Sequence, residues 1–366
     1  MKPGVIALLG SGETAPSMTK VHRQLFDMLG DVRAVALDTS YAFQANVPQM
    51  TGKIVDYFAV SLRQDIQSVH LGDVISMSLV DQAMVRQKIR SANYVFAGPG
   101  SPSYALRQWS AAGVGQELAT VARSGGIVSF ASAAALTLGA FTAPIYEIYK
   151  AGATPYWLEG LDVLSLAGLR CAIIPHYDNA EGANYDTRFC YMGEERLSNM
   201  ERQLPSDVGI LGIDEHTALI IDLSRGELTV VGRASAYWRR EGHTMTLENG
   251  RVIPLSAVQN FTPVADDPLT ETAPTDGTIV DLLVSAAALG GAQGMDAIAG
   301  LAKLATASQQ VSDETSTLIA ELLKLRDEAR DRRDFTLADR IRQILDDVDV
   351  EVMDEMSGSQ WRFRSR

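Results

Sequence analysis

The chain is poor in cysteine, in histidine and in long apolar runs, and each shortage excludes something. Two cysteines among 366 residues, Cys171 and Cys190, cannot build a disulfide framework, so a reducing, cytoplasmic setting is expected. Neither has a second cysteine or a histidine at metal-ligand spacing, so no zinc site is expected. No stretch stays free of Gly, Pro and charge for the roughly 20 residues that a membrane helix needs, so no membrane segment is expected. The apolar run in MKPGVIALLGSGET leads into Gly-Ser-Gly-Glu with no small-residue cleavage pattern, and reads as a first strand and its loop. Positive charge is also scarce. Against 45 Asp and Glu stand 32 Lys and Arg, a net of −13, which argues against broad nucleic-acid binding.

What is present is an alternation. Short apolar runs bounded by turn residues lie at 4–10, 33–39, 92–100, 126–132, 171–177 and 217–223, with amphipathic stretches such as 17–30 and 103–126 between several of them. This pattern predicts an α/β fold, a mostly parallel sheet with helices on both faces. Residues 226–255 read instead as antiparallel strands at its edge, with an Asn-Gly turn at 249–250. A Pro-, Thr- and Asp-rich stretch at 262–278 reads as a linker. The expected organisation is an α/β domain over 1–262, a linker and weakly helical segment over 263–310, and a small α-helical domain over 311–366. In the last, Leu318, Leu322, Leu325 and Ala329 form one apolar stripe and Leu337, Ile341 and Leu345 another, with a turn at 332–335, which predicts a helical hairpin.

A parallel sheet binds its ligands at the carboxyl ends of its strands. The residues there are Ser11, Glu13, Asp38, Gly98 to Ser101, Ser132, His176 and the run Asp214 to His216. Ser132, in GGIVSFASAAALTLG, stands between an apolar run and a helix start. It is either an N-cap, a position where serine is favoured, or a nucleophile on a strand-to-helix elbow. A hydroxyl nucleophile needs a base within hydrogen-bond reach. Of five histidines only His176 and His216 lie beside expected strand ends, and His176 follows an apolar run and a proline directly, as a loop-borne base should. A hydrogen-bonded loop histidine fits the spacing equally well.

The segments SFASAAAL, FAGPGSPSYAL, IIPHYDNAEG and LGIDEHTALII resemble, in order and near spacing, motifs of the dipeptidase E and cyanophycinase family of serine peptidases, over roughly residues 1–260. That family shares the fold of class I glutamine amidotransferase domains. The resemblance implies Ser132 as nucleophile, His176 as general base and Glu147 in APIYEIYK as the triad acid, with Glu181 as the competing candidate. It implies an oxyanion hole from the N–H groups of Gly100 and Ala133, and substrate contacts at Gly98, Ser101 and Arg188. Asp214 and Glu215 are expected to support the loop beside the site. Two positions depart from the family pattern. Phe130 stands where a glycine is usual at the elbow, and Pro102 where a threonine is. Amide transfer from glutamine would need a cysteine at the elbow, and the residue there is Ser132.

The function expected is therefore hydrolysis of a peptide or amide bond in a small substrate by a Ser-His-Glu triad through an acyl-enzyme, chemistry that implies no metal or other cofactor. The alternative is an inactive binding or regulatory protein of the same fold, with the C-terminal helices as its interaction module. The tail, by Arg326, Arg330, Ala338, Asp339, Ile341, Arg342, Leu345, Asp354, Gly358 and Trp361, resembles the C-terminal end of cysteinyl-tRNA synthetases, without their catalytic motifs. The resemblance implies tRNA as a partner. Yet residues 311–366 carry ten Lys and Arg against fourteen Asp and Glu, a net of −4, which favours protein contact or a homo-oligomer.

Overall fold

The computed structural model describes residues 4–182 and 185–261, and beyond them 319, 322–324, 326, 327, 330, 338, 339, 341, 342, 345, 350–355 and 358–363. The chain divides into two compact units, Met1–Ala265 and Asp266–Arg366.

The strands of the first unit are β1 Val5–Leu9, β2 Ala34–Leu37, β3 Ile66–Val69, β4 Tyr94–Ala97, β5 Ile127–Ala131, β6 Phe141–Thr142, β7 Leu158–Glu159, β8 Cys171–Ile174, β9 Gly209–Ile213, β10 Thr217–Asp222, β11 Glu227–Gly232, β12 Ala236–Arg240, β13 His243–Leu247 and β14 Val252–Pro254. Its helices are α1 Thr19–Asp27, α2 Val47–Asp56, α3 Leu79–Ser91, α4 Pro102–Ala111, α5 Val114–Arg123, α6 Ala133–Leu136, α7 Ile145–Tyr149, α8 Gly193–Glu201 and α9 Leu255–Gln259. They build an eight-stranded sheet, in the order β14-β11-β10-β1-β5-β4-β2-β3, and a six-stranded sheet, in the order β13-β12-β9-β8-β6-β7. Strands β1, β5, β4, β2 and β3 run parallel, as do β6, β8 and β9, and antiparallel pairs finish the edges.

Strand β1 shows why its run is apolar throughout. Ile6 and Leu8 enter one core with residues of α3, α4 and α5, such as Ile89, Trp109 and Leu118. Val5, Ala7 and Leu9 enter another with Val21 and Leu25 of α1 and Ile54 of α2. A strand covered on both faces has no solvent side to make polar. The second sheet shares the first of these cores through Ile173 and Leu211, and Ile174 and Ile210 lie in a third core with Leu197 and Met200 of α8.

Three sequence expectations change here. The stretch 103–126 is two helices, because Gly113, with φ 68°, interrupts it after α4. The antiparallel run 226–255 is divided between the sheets, with β11 and β14 in one and β12 and β13 in the other. Asn249 therefore does not close a hairpin. Its side-chain amide receives the N–H of Gly232 and donates to the Gly232 carbonyl, at 3.2 and 2.8 Å.

The second unit contains helical residues from 319 to 345 and ends in an antiparallel pair, β15 Val350–Glu355 and β16 Gly358–Phe363. The expectation of a wholly helical 311–366 did not include that pair, whose Val-x-Val and Trp-x-Phe alternation suits strands. Leu322, Ile341 and Leu345 of the expected stripes are buried. The linker at 262–278, the turn at 332–335 and Leu318, Leu325, Ala329 and Leu337 lie outside the described residues.

One buried group gives the fold a pH dependence. His22 on α1 is fully buried, with Nε2 2.8 Å from the Glu13 carbonyl and Nδ1 2.8 Å from the Tyr94 hydroxyl. Burial pushes its pKa down to about 4 from an ordinary 6.5. The unfolded chain thus binds the proton first, and stability present above pH 6.5 is lost as pH falls to about 4, at a cost of roughly 3 kcal/mol. Denaturant midpoints of the wild type and His22→Gln, taken from pH 7.5 to 4, should differ in slope across that window. Parallel curves would remove His22 from the account.

Candidate active site

Three loops from the two sheets meet at the carboxyl ends of their parallel strands. The first follows β5. Ser132 adopts φ 50° and ψ −124°, outside the regions an L-residue prefers. Such a conformation costs of order 1–3 kcal/mol and persists only where its surroundings impose it. Here the Ser132 N–H is fixed to the Leu9 carbonyl at 3.0 Å, and Ala131 and Ala133 to Ala135 leave room for the sharp turn into α6. The hydroxyl makes no capping hydrogen bond, so the N-cap reading of Ser132 does not hold. Its Oγ lies 2.9 Å from His176 Nε2.

The second loop follows β8. His176 also has a positive φ, of 48°. Its carbonyl accepts the Cys190 N–H at 3.0 Å, and the Tyr177 carbonyl accepts the Phe189 N–H at 3.0 Å. Phe189, Cys190 and Tyr191 are left-handed in succession, and this turn clamps the histidine backbone from outside the sheet.

The third loop, Asp214 to His216, crosses from β9 in one sheet to β10 in the other. Its central residue, Glu215, was expected to support the loop rather than to act on the histidine. His176 Nδ1 lies 2.7 Å from Glu215 Oε1. The register explains the meeting. Parallel pairing sets Ile174 of β8 opposite Gly212 of β9, so the residues two positions on, His176 and Asp214, are level and Glu215 follows. Asn179 Nδ2 donates to the same Glu215 oxygen at 3.3 Å, and the Glu215 N–H donates to Asp178 Oδ1 at 2.7 Å. The hydrogen bond to His176 holds the Glu215 pKa below the ordinary carboxylate value. An ionised carboxylate only accepts, so the imidazole carries its proton on Nδ1 and leaves Nε2 to accept from the Ser132 hydroxyl. Asp214 anchors the loop: Oδ2 accepts the Ser235 N–H at 3.0 Å and the Tyr237 hydroxyl at 3.1 Å, and burial raises its pKa to about 6.

Neither expected acid reaches the histidine. Glu147, on α7, accepts the Ser103 hydroxyl at 2.5 Å, and Glu181 accepts the Tyr191 hydroxyl at 2.6 Å. Arg188 is held by its near neighbour Asp186 through two hydrogen bonds, of 2.9 and 2.8 Å. Phe130 does not obstruct the elbow, because its ring is fully buried and packs on Trp109 with centroids 5.3 Å apart.

The glycine-rich loop follows β4 and is shaped by Ser40. The Ser40 hydroxyl reaches the Gly98 and Pro99 carbonyls at 3.1 and 2.9 Å, and its carbonyl accepts the Ser101 N–H at 2.7 Å. The Ser101 hydroxyl caps α4 by accepting the Tyr104 N–H at 3.2 Å, so both its donor and its acceptor shape the loop. Among the described residues, the N–H groups of Gly100 and Ala133 donate to no protein group. Gly100 has φ 146°, and a Cβ there would stand 2.0 Å from the Ser40 carbonyl oxygen. Gly100→Ala should therefore distort the loop, lowering activity at least about tenfold and stability by roughly 1–3 kcal/mol. Parallel assays and thermal melts check this, and a variant with wild-type values in both would show that the loop has slack.

Among the described residues no group of three or more His, Cys, Asp or Glu side chains is placed to hold a metal ion, and no helix is long and apolar enough to cross a membrane.

No protein-family model and no curated protein sequence matches the chain. Solved structures do. A peptidase from an acI-B1 Actinobacterium superposes with a TM-score of 0.54 at 18% identity, over 69% of this chain and 97% of that one. The fold is shared with that peptidase. A candidate peptidase E protein from Listeria monocytogenes EGD-e aligns with a TM-score of 0.41 at 12% identity, over 67% of this chain and 98% of its own.

Proposed function

We propose that the chain is a serine hydrolase cleaving a peptide or amide bond in a small substrate, with Ser132 as nucleophile, His176 as general base and Glu215 as the acid that orients it. The observation that carries this reading is the hydrogen-bonded line from Ser132 through His176 to Glu215, at 2.9 and 2.7 Å, begun on a backbone strained at the serine. His176 Nε2 takes the Ser132 proton as Oγ attacks the carbonyl carbon. The oxyanion that forms is received by the N–H groups of Gly100 and Ala133. The imidazolium, held by the Glu215 carboxylate, then protonates the leaving amine, and an acyl-enzyme remains. Water, activated by the same histidine, releases the acid and restores the serine. The acidic partner differs from the one implied by the family resemblance, and the chemistry is the same.

The fold shared with an actinobacterial peptidase supports peptide bonds as the target class. Two unpaired, buried cysteines fit the reducing cytoplasm proposed for the protein. For residues 311–366 we infer protein contact or self-association rather than tRNA binding, since their net charge is −4. A library of dipeptides and simple amides, assayed with the full chain, tests the hydrolase reading. Turnover of at least one class that disappears in Ser132→Ala is expected. Turnover that survives in that variant, or none across the library, would favour a binding protein of the same fold.

A further inference from the structure

One buried ionisable group beside this site has no part in the proposed chemistry. Glu13 lies in the loop after β1 and is only 8% exposed. Its backbone is pinned, since its carbonyl accepts His22 Nε2 at 2.8 Å and the Ala15 N–H closes a turn on the Gly12 carbonyl at 2.7 Å. Its carboxyl is not. Among the described residues no other residue donates to that carboxyl, which touches only its own N–H. A Cβ built on Gly98 would stand 3.4 Å from Glu13 Oε1, so the carboxyl lies against the base of the glycine-rich loop. A Cβ built on its neighbour Gly12 would stand 2.3 Å from His216 Nδ1, so the turn that carries Glu13 packs against the loop of Glu215.

A buried carboxyl that bonds only its own backbone is costly to ionise, and burial indeed raises the Glu13 pKa. Such a group is satisfied when a cation arrives. Among the described residues no basic side chain bonds the Glu13 carboxyl, and Arg188, the arginine expected to touch substrate, is occupied by Asp186. A second carboxylate flanks the loop: Glu147 Oε2 is buried with no hydrogen-bond partner among the described residues. A substrate whose carbonyl reaches the Gly100 N–H carries its α-substituents two bonds away, within reach of the loop base.

Resting on the hydrolase reading above, we propose that Glu13 is a specificity-determining residue that receives a positively charged amino group on the acyl side of the scissile bond. The site then selects amine-bearing peptides and disfavours acidic acyl groups, which would meet the two carboxyls.

The full chain carrying Ser132→Ala binds without turning over, so affinity is read directly by calorimetry. The probes are alanyl-alaninamide, its N-acetyl derivative and its N-succinyl derivative. The free amine should bind about tenfold tighter than the acetyl compound, and the succinyl compound weakest. Adding Glu13→Gln should erase the preference for the free amine, and Glu13→Asp, which keeps the charge but draws it back, should leave part of it. Should Glu13→Gln fail to fold, the Asp variant decides by the same ratio. A ratio indifferent to Glu13, a succinyl peptide that binds tightest, or no binding by any of the three overturns the proposal. Failure of the hydrolase reading looks different: selectivity for the amine would persist while Ser132 of the unmodified protein stays inert to a fluorophosphonate.

Discussion

Glu215→Gln is expected to lower kcat/KM by about 10³–10⁴-fold while the protein stays folded. The amide would offer an N–H to His176 Nδ1 as readily as an oxygen. An imidazole that accepts at Nδ1 carries its proton on Nε2, where it can no longer take one from Ser132. Nothing else in the loop changes, because the Glu215 backbone N–H still donates to Asp178 and Asp214 still anchors the turn to Ser235. Glu147→Gln and Glu181→Gln should each stay within about tenfold of wild type, since their carboxylates bond Ser103 and Tyr191 and not the histidine. Steady-state kinetics on all three variants, with circular dichroism to confirm folding, decides among them. A crippled Glu147→Gln beside a near-normal Glu215→Gln would return the role to the acid that the family resemblance implies.

Replacing the nucleophile should cost the most. Ser132→Ala and His176→Ala are each expected to lower kcat by about 10⁵–10⁶-fold, and the double variant should be no worse, because the members of such a unit fail together. Stability should move the other way at one position. Ser132 is held at φ 50°, which glycine adopts without a Cβ penalty. Ser132→Gly should thus be as inactive as Ser132→Ala and melt at a higher temperature than the alanine variant. An order of melting points with alanine above glycine would show that the elbow is not strained. Additive losses in the double variant would show that serine and histidine act separately.

The strand alternation was legible because buried parallel strands leave continuous apolar runs, and β1, β4, β5, β8 and β10 fall inside the runs read from sequence. Ser132 and His176 were legible for a related reason, since each directly follows such a run. Glu215 was read only as a support for its loop, although it lies in a strand-end segment. Its partnership depends on β8 and β9 being parallel neighbours, and a pairing between strands some forty residues apart leaves no local mark. The expectation for Glu147 came from the family resemblance, by its place after the serine, and that place says nothing about which way α7 faces. Phe130 looked like an obstacle at the elbow until its ring could be placed against Trp109. The β15–β16 pair was hidden because the helical period before it, through Leu345, was the stronger local pattern.

The central claim is that Ser132 is an activated nucleophile, and covalent labelling tests it most directly. The full chain is treated with a fluorophosphonate and digested, and the modified peptide is sequenced by mass spectrometry. The geometry predicts a single stoichiometric adduct on Ser132, absent from Ser132→Ala and formed far more slowly by His176→Ala. An unlabelled Ser132, under conditions that fully label a control serine hydrolase, would contradict it, as would an adduct on any other serine.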